Sequence, residues 1–463
     1  MFDAAVLAAV GSAGLVAPDD IAKYSTDWRS LVHGRPRAVV RPASTDEVAA
    51  IVRACLAHRV AIVPQGGHTS LVAGATPDAT GSEIVLSLAR MNRIRAIDPE
   101  DMTLTAEAGV VWAHAQQAAA DAGCLLPLSI SSEGSAQLGG ILSANAGGNN
   151  TIRYGSAREL TLGVEAVLPD GSIWHGLRSL RKDNTGYNLR GLLVGAEGTL
   201  GIITAAVLRL VPALQARATA LCALPSVAAV TALFRRMRAV DGGALQAFEY
   251  MSGTGMALVG AHIPGVHIPF AAPHYALIDL AAAADSQIHD RLETVLGEAM
   301  ADGTVGDAVL AGSEQQRLAL WRLREEHAEA QRRDGANIKH DVSVAPSRIP
   351  ALIARADAAI QLLMPGIRAA PFGHVGDGNV HYNVLAPPGM DGAAFLAQSD
   401  AIGDVIHGIV HSLDGSFSAE HGVGRIKRYE MEAWRGGAEL QTMRRIKAAL
   451  DPANIMNPGV LLP

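Results

Sequence analysis

The sequence predicts a globular chain of mixed helix and sheet, α/β or α+β, in two or three domains, and three observations carry that expectation. Its 463 residues exceed what one hydrophobic core ordinarily serves. Apolar residues make up 49% of it and charged ones 18%, the balance of a folded chain and not of a disordered one. Its first half alternates short apolar runs with helical periodicity, punctuated by Gly-rich turns.

The elements follow in order. Met1 to Pro18 is apolar but carries Asp3 where a secretory leader has basic residues, so an amphipathic first helix is expected. Ala38 to Arg41 reads as a strand. Ser44-Thr45-Asp46-Glu47 forms a capping box that opens a helix with Val48, Ile51, Val52, Cys55 and Leu56 on its apolar face. Ala61-Ile62-Val63 is the next strand, followed directly by Pro64-Gln65-Gly66-Gly67-His68-Thr69-Ser70. In that loop small residues let backbone N–H groups converge on an anion such as a diphosphate. Two further Gly-rich stretches run from Leu138 to Asn149 and from Gly195 to Thr204. None of the three is a strand followed by G-x-G-x-x-G opening a helix, so a Rossmann site is not supported, whereas an extended ligand in close contact with backbone is. Arg37 to Pro212 therefore reads as a nucleotide domain. Beyond it, Ala-rich helices alternate with strands such as Tyr275 to Leu280, and helical patterns return over Ser347 to Ile367 and Ala393 to Ser412.

Several function classes are excluded. The formal net charge of −7 and the lack of Lys/Arg runs interleaved with aromatics argue against nucleic acid as a partner. No uncharged apolar run reaches the ~18 residues of a membrane span. Cys55, Cys124 and Cys222 are odd in number and widely spaced, which suits buried small side chains in a reducing, cytoplasmic compartment better than disulfides or a Cys-based zinc site.

The chemistry concentrates near the C-terminus. In Phe372-Gly373-His374-Val375-Gly376-Asp377-Gly378-Asn379-Val380-His381-Tyr382-Asn383, an Asp-Gly turn lies between alternating runs, a hairpin signal. With Asp377 and Gly378 as the central pair, His374 is expected opposite His381 and Phe372 opposite Asn383, all on one face. Two imidazoles so placed reach one divalent ion. Ser418-Ala419-Glu420-His421-Gly422-Val423-Gly424 then sets an acid beside a histidine in a glycine-bordered turn, so Glu420 completes a His2Glu site and leaves His421 free as a base. His407 and His411, four apart, read as a solvated helix face. Arg324 and Lys339, taken singly, read as surface charges.

Together these residues resemble the FAD-linked dehydrogenases of the vanillyl-alcohol oxidase superfamily, in the branch of the D-2-hydroxyglutarate and D-lactate dehydrogenases. The likeness spans nearly the whole chain and is most specific at Arg181-Lys182-Asp183-Asn184-Thr185-Gly186-Tyr187, Gly198 to Thr204, Gly373 to His381, Glu420 to Gly424, and Asp451-Pro452 to Asn457-Pro458-Gly459. It implies an α+β chain with a two-part PCMH-type FAD-binding domain over 1–212. A substrate (cap) domain with an antiparallel sheet is implied over 213–390, and a C-terminal helical segment over 391–463 that closes the active site.

The resemblance further implies non-covalent FAD along Pro64, Gln65, Gly66, Gly67, His68, Thr69, Ser70 and Gly74. The flavin would continue along Gly134, Gly139, Gly140, Asn145, Ala146, Gly147 and Gly148, and reach Glu197, Gly198, Gly201, Ile202, Ile203 and Asn457. A divalent metal is implied on His374, His381 and Glu420, with Zn2+ first on ligand type and Mn2+, Co2+ or Fe2+ as alternatives. In that picture the metal lowers the pKa of the substrate's 2-hydroxyl, His421 takes its proton, C2 delivers hydride to the flavin, and Arg324, Lys339 and Asn383 hold carboxylate charge. The activity implied is oxidation of a D-2-hydroxy acid, D-2-hydroxyglutarate first, with electrons passed to an acceptor such as an electron-transfer flavoprotein or a quinone. A flavin oxidase using O2 is the alternative, and a homodimer is compatible with it. Two positions depart from the branch. Ala328 replaces a threonine four residues after Arg324, which loosens selectivity for a distal carboxylate and keeps D-lactate and D-malate open. His68 replaces an asparagine, which raises covalent attachment of the flavin.

Overall fold

A computed structural model describes residues 2–240, 242–282 and 287–463. The chain forms two compact units. One comprises the residues up to Gly148, Tyr154–Ala213 and Glu420–Pro463; the other comprises Asn149–Arg153 and Leu214–Ala419.

The first unit opens with helix Phe2–Val10, which buries Phe2, Val6 and Val10, one residue per turn along a single stripe. A parallel sheet follows, with Ile84–Ser87 in the centre, flanked by Ala38–Val40 and Ile62–Gln65. Helix Thr45–His58 is capped by Ser44, whose side chain accepts the Glu47 N–H, while the Glu47 carboxylate reaches one residue further back, to Ala43 N at 2.7 Å. Its Val48, Ile51, Val52 and Cys55 join Ile62, Ile84 and Leu86 in one core. A five-stranded antiparallel sheet runs in the order Ile94–Asp98, Thr103–Glu107, Ile202–Arg209, Thr161–Val167, Ile173–Gly176.

The second unit is built on a seven-stranded antiparallel sheet. Its order is Asp307–Leu310, Ala216–Leu224, His274–Ala282, Leu245–Ser252, Phe372–His374, Asn379–His381, Asp341–Ser343. Alternation along the strands divides the core. Ala220, Cys222, Phe248, Tyr250 and Ile278 pack with the apolar stripes of helices Val227–Val240, Ile288–Ala301, Ile349–Leu363 and Ser399–Ser412. Leu221, Ala247, Met251 and Leu277 pack with helices Gly253–His262 and Glu314–Glu325 on the other face.

Three expectations change. The helix expected over Ala393 to Ser412 is two helices, Gly392–Leu396 and Ser399–Ser412, because Asp391 caps the first at Ala394 N and the Ser399 hydroxyl turns back to Leu396 O. The segment 391–463 does not stand by itself: Ile402, Ile406 and Val410 are core residues of the second unit, whereas Ile455 and Met456 return to the first, where Asn457 N bonds Ile62 O at 2.8 Å. His407 is not on a solvated face but buried, with its Nε2 3.4 Å from His340 Nδ1; its neighbour four residues on, His411, is exposed. All three cysteines are free and buried. Among the described residues no helix is long and apolar enough to cross a membrane.

Candidate active site

The hairpin forms, in a different register. Its loop is the four residues Val375–Gly378 and not Asp377-Gly378 alone, so Phe372 stands opposite His381 and His374 opposite Asn379. The Asp377 carboxylate accepts the Asn379 N–H at 3.1 Å and Gly378 N donates to His374 O, which closes the longer turn. Gly378 has φ +88°, and a Cβ there would lie 1.9 Å from Val344 O, so only glycine fits. The corrected register keeps both histidines on one face as a diagonal pair, their ring centroids 5.7 Å apart.

Cross-strand pairing arranges two rows of side chains over that face. One runs Glu249, His374, Asn379, Ser343; the next runs Met251, Phe372, His381, Asp341. Leu221, Leu277, Ala247 and Met251 are apolar on this face, whereas the last three strands add His374, Asn379, His381 and Asp341 to it. Glu249 is fully buried and uses both carboxylate oxygens, Oε1 accepting from His374 Nδ1 at 2.8 Å and Oε2 from Arg324 Nε at 2.8 Å. Burial opposes its charge, but the His374 imidazole and the Arg324 guanidinium hydrogen-bonded to it prevail and hold the carboxyl below the usual range. Arg324 is therefore no surface charge: it is 7% exposed, lies over the Phe372 ring at 4.8 Å, and sets an Nη 3.5 Å from His374 Nε2.

Asp341 Oδ1 lies 3.7 Å from His381 Nδ1 and accepts the Asn379 amide at 2.9 Å. Alternation stops after His381, where Asn383 N bonds back to His381 O. The Asn383 side chain is then set by other bonds, its oxygen accepting His340 N at 3.3 Å and its amide donating to Gln331 Oε1 at 2.8 Å. Lys339 and Ala328 are exposed. His374, His381 and Asp341 share this face, and imidazole with carboxylate is the ligand chemistry that a divalent ion takes. Ala419 N bonds Asp341 O, and Glu420 is the next residue in the chain. Glu249 and Asp341 are the residues that sequence reasoning missed. Asp341 carried a faint signal in its strand pattern, while Glu249, 125 residues before His374, carried none.

In the first unit, the turn after Glu420 and His421 is fixed by Glu197, whose carboxylate accepts Val423 N and Gly424 N, each at 2.8 Å. Glu197 is left-handed at φ 51°, and its carbonyl, with that of Gly74, accepts the Asn457 amide. The three Gly-rich stretches converge. A Cβ on Gly66 would lie 3.3 Å from Gly140 N, one on Gly198 3.0 Å from Pro64, and one on Gly195 3.2 Å from Asn145. His68 adopts φ 57°, its Nε2 3.1 Å from Thr76 Oγ1, and burial pushes its pKa down.

Does this cradle fit a flavin nucleotide? Nothing lies within 4 Å of a Cβ added at Gly134 or Gly140, so these backbones face open space. Gln137 Oε1 and Asn457 Oδ1 are buried acceptors with no partner among the described residues, as a ligand with N–H donors requires. The residues fit the group.

A backbone cradle of this kind in one unit and a histidine hairpin on the antiparallel sheet of the other define a flavin-linked oxidoreductase, and the comparisons agree. Residues 36–176 match the FAD binding domain family, and residues 213–461 match the C-terminal domain of FAD linked oxidases. The chain belongs to the FAD-linked oxidases. It is 37% identical over 96% of its length to a D-2-hydroxyglutarate dehydrogenase of Xanthomonas citri pv. viticola, covering 93% of that protein. It is also 37% identical to the mitochondrial D-2-hydroxyglutarate dehydrogenase of Bos taurus, over 96% of this chain and 80% of that one. With the D-2-hydroxyglutarate–pyruvate transhydrogenase of Saccharomyces cerevisiae it shares 31% identity over 96% of the chain and 90% of the relative. Among solved structures, p-cresol methylhydroxylase with substrate bound has the same fold, with a TM-score of 0.74 at 17% identity over 99% of this chain and 95% of that one.

Proposed function

We propose that this chain oxidises a D-2-hydroxy acid, D-2-hydroxyglutarate first, to the 2-oxo acid, with FAD as the immediate electron acceptor and a divalent ion, Zn2+ first, on His374, His381 and Glu420. The observation that carries the reading is the diagonal pair of His374 and His381 on one sheet face, in a chain whose relatives at 37% identity are named D-2-hydroxyglutarate dehydrogenases.

Bound FAD supplies a two-electron acceptor for the hydride leaving C2, and a bound divalent ion supplies a Lewis acid toward the 2-hydroxyl. The protein's own part is positional and acid–base. His421 takes the hydroxyl proton on a ring nitrogen as the C2–H bond breaks and the carbonyl forms. Arg324 and Lys339 meet the substrate's negative charge. Arg324 has N–H groups to spare, since Glu249 engages Nε. Asn383 presents an amide immobilised by Gln331 and the His340 backbone.

The test is anaerobic mixing of the flavoprotein with D-2-hydroxyglutarate, D-lactate, D-malate and their L-isomers, following loss of oxidised-flavin absorbance. Bleaching by a D-acid that a chelator abolishes supports reaction class, stereochemistry and ion together. No bleaching by any of them removes the assignment. The exposed Ala328 favours a second reading of the same chemistry, a dehydrogenase that also accepts D-lactate or D-malate. For the acceptor, reoxidation by an electron-transfer flavoprotein, a quinone analogue, pyruvate or O2 is to be compared. Pyruvate enters because of the yeast relative's name, and peroxide release would identify an oxidase.

A further inference from the structure

Glu249 stands directly across the sheet from His374, fully buried, and both of its oxygens are engaged. A carboxylate can only accept, so the His374 nitrogen 2.8 Å from it must carry the proton. The remaining nitrogen, Nε2, then presents its lone pair. That assignment agrees with the Arg324 Nη, a donor, lying 3.5 Å from Nε2. The guanidinium is held in place from two sides, by Glu249 at 2.8 Å and by the face of Phe372 at 4.8 Å.

We infer that Glu249 is a positioning residue for the ion site: it fixes His374 as the Nδ1–H tautomer with Nε2 as the ligand atom, and it neutralises Arg324 where that cation would repel a metal. The inference rests on the proposed ligand role of His374. Three physical arguments support it. An imidazole whose second nitrogen donates to a carboxylate is a stronger and better-oriented ligand. A guanidinium this close to a ligand nitrogen needs a counter-charge if a divalent ion is to settle nearby. The strand pairing leaves Glu249 no other task, since its neighbours along the same face, Ala247 and Met251, are core residues.

The experiment uses the full-length, flavin-loaded protein, stripped with chelator and titrated with Zn2+ against a chromophoric competitor. The variants are Glu249→Gln, Glu249→Asp, His374→Ala, and the double variant Glu249→Gln/Arg324→Met, which removes both buried charges and so guards against a misfolded single variant. Glu249→Gln is expected to bind Zn2+ about 10–100-fold more weakly than the parent protein, and the double variant, relieved of the Arg324 cation, less weakly than Glu249→Gln but still more weakly than the parent, with flavin content unchanged in both. Glu249→Asp, which keeps the charge, should recover part of the loss. If His374→Ala loses zinc while Glu249→Gln and the double variant bind as the parent does, the positioning role is overturned and the ion site stands. If His374→Ala binds zinc like the parent, the ion site itself falls and the role of Glu249 with it.

Discussion

The carboxylate of Glu197 caps the turn at Gly424: Oε2 accepts the Gly424 N–H at 2.8 Å while Oε1 takes that of Val423. This one side chain thus holds the backbone that follows Glu420 and His421. Glu197→Ala leaves two N–H groups without an acceptor, each worth about 1–3 kcal/mol if buried, so the melting temperature should fall by several degrees. Misplacement of His421 should lower kcat on the order of 10–100-fold. Glu197→Gln is no rescue, because its NH2 must face one of the two donors. Flavin content, melting temperature and kcat measured together check this, and a variant with parental kcat would refute it.

Gly140 and Gly378 separate the seat of the flavin from the frame of the hairpin. A Cβ at Gly140 meets nothing within 4 Å, and the residue lies inside helix Leu138–Ala144, so Gly140→Ala should leave the apoprotein as stable or stabilise it by about 0.5–1 kcal/mol. The same methyl intrudes where the flavin is proposed to lie, so FAD affinity should drop at least tenfold in a fluorescence titration. Gly378→Ala should do the opposite. Its Cβ would sit 1.9 Å from Val344 O at φ +88°, so folding suffers by several kcal/mol and soluble yield falls.

These contrasts mark how far the sequence was legible. The strands around Ile62 and Ile278, the capped helix at Ser44 and the Gly-rich loops are local signals, and each is found where local chemistry puts it. The hairpin was legible as a hairpin but not in register, because an Asp377 side chain that bonds Asn379 N substitutes for a backbone bond and lengthens the loop by two residues. Glu249 was invisible: its meaning comes from a strand pairing 125 residues away. His407 looked solvated because helical spacing does not reveal that His340 will lie against it. The return of Met456 to the core of Ile62 is likewise a long-range event that no local pattern encodes.

Acid should weaken the first unit through Glu107 and Glu165. Both carboxylates are buried in the five-stranded sheet, where burial alone would raise their pKa values. Hydrogen bonds and charge from Arg93 and Arg95, with Thr45 and Thr204 on Glu165, outweigh burial and hold both below the usual 4.5. A depressed folded pKa stabilises the protein above the unfolded value, and that contribution is lost as pH falls through the folded one. Below about pH 5 urea midpoints should therefore decline through these two groups, more shallowly in Glu165→Gln. A decline of equal slope in that variant would remove Glu165 from the account.

Ala328→Thr tests the substrate most directly. Ala328 follows Arg324 by four residues, is exposed, and is the second residue of the short helix His327–Asp334, so a threonine there costs about 0.5 kcal/mol of helix propensity and disturbs no core. The hydroxyl would be gained four residues after a guanidinium already proposed to meet carboxylate charge. One hydrogen bond to a charged group is worth about 1.5–3 kcal/mol at most, so the ratio of kcat/KM for D-2-hydroxyglutarate over D-lactate should rise by roughly tenfold or more. The effect should reside in KM for the longer acid, with kcat for D-lactate unchanged, because a distal contact leaves the reacting C2 untouched. An unchanged ratio would mean that the distal end of the substrate is read elsewhere, with Lys339 the next residue to substitute. A rise in kcat for both acids would instead mean that the helix at His327 governs the chemistry and not the selectivity.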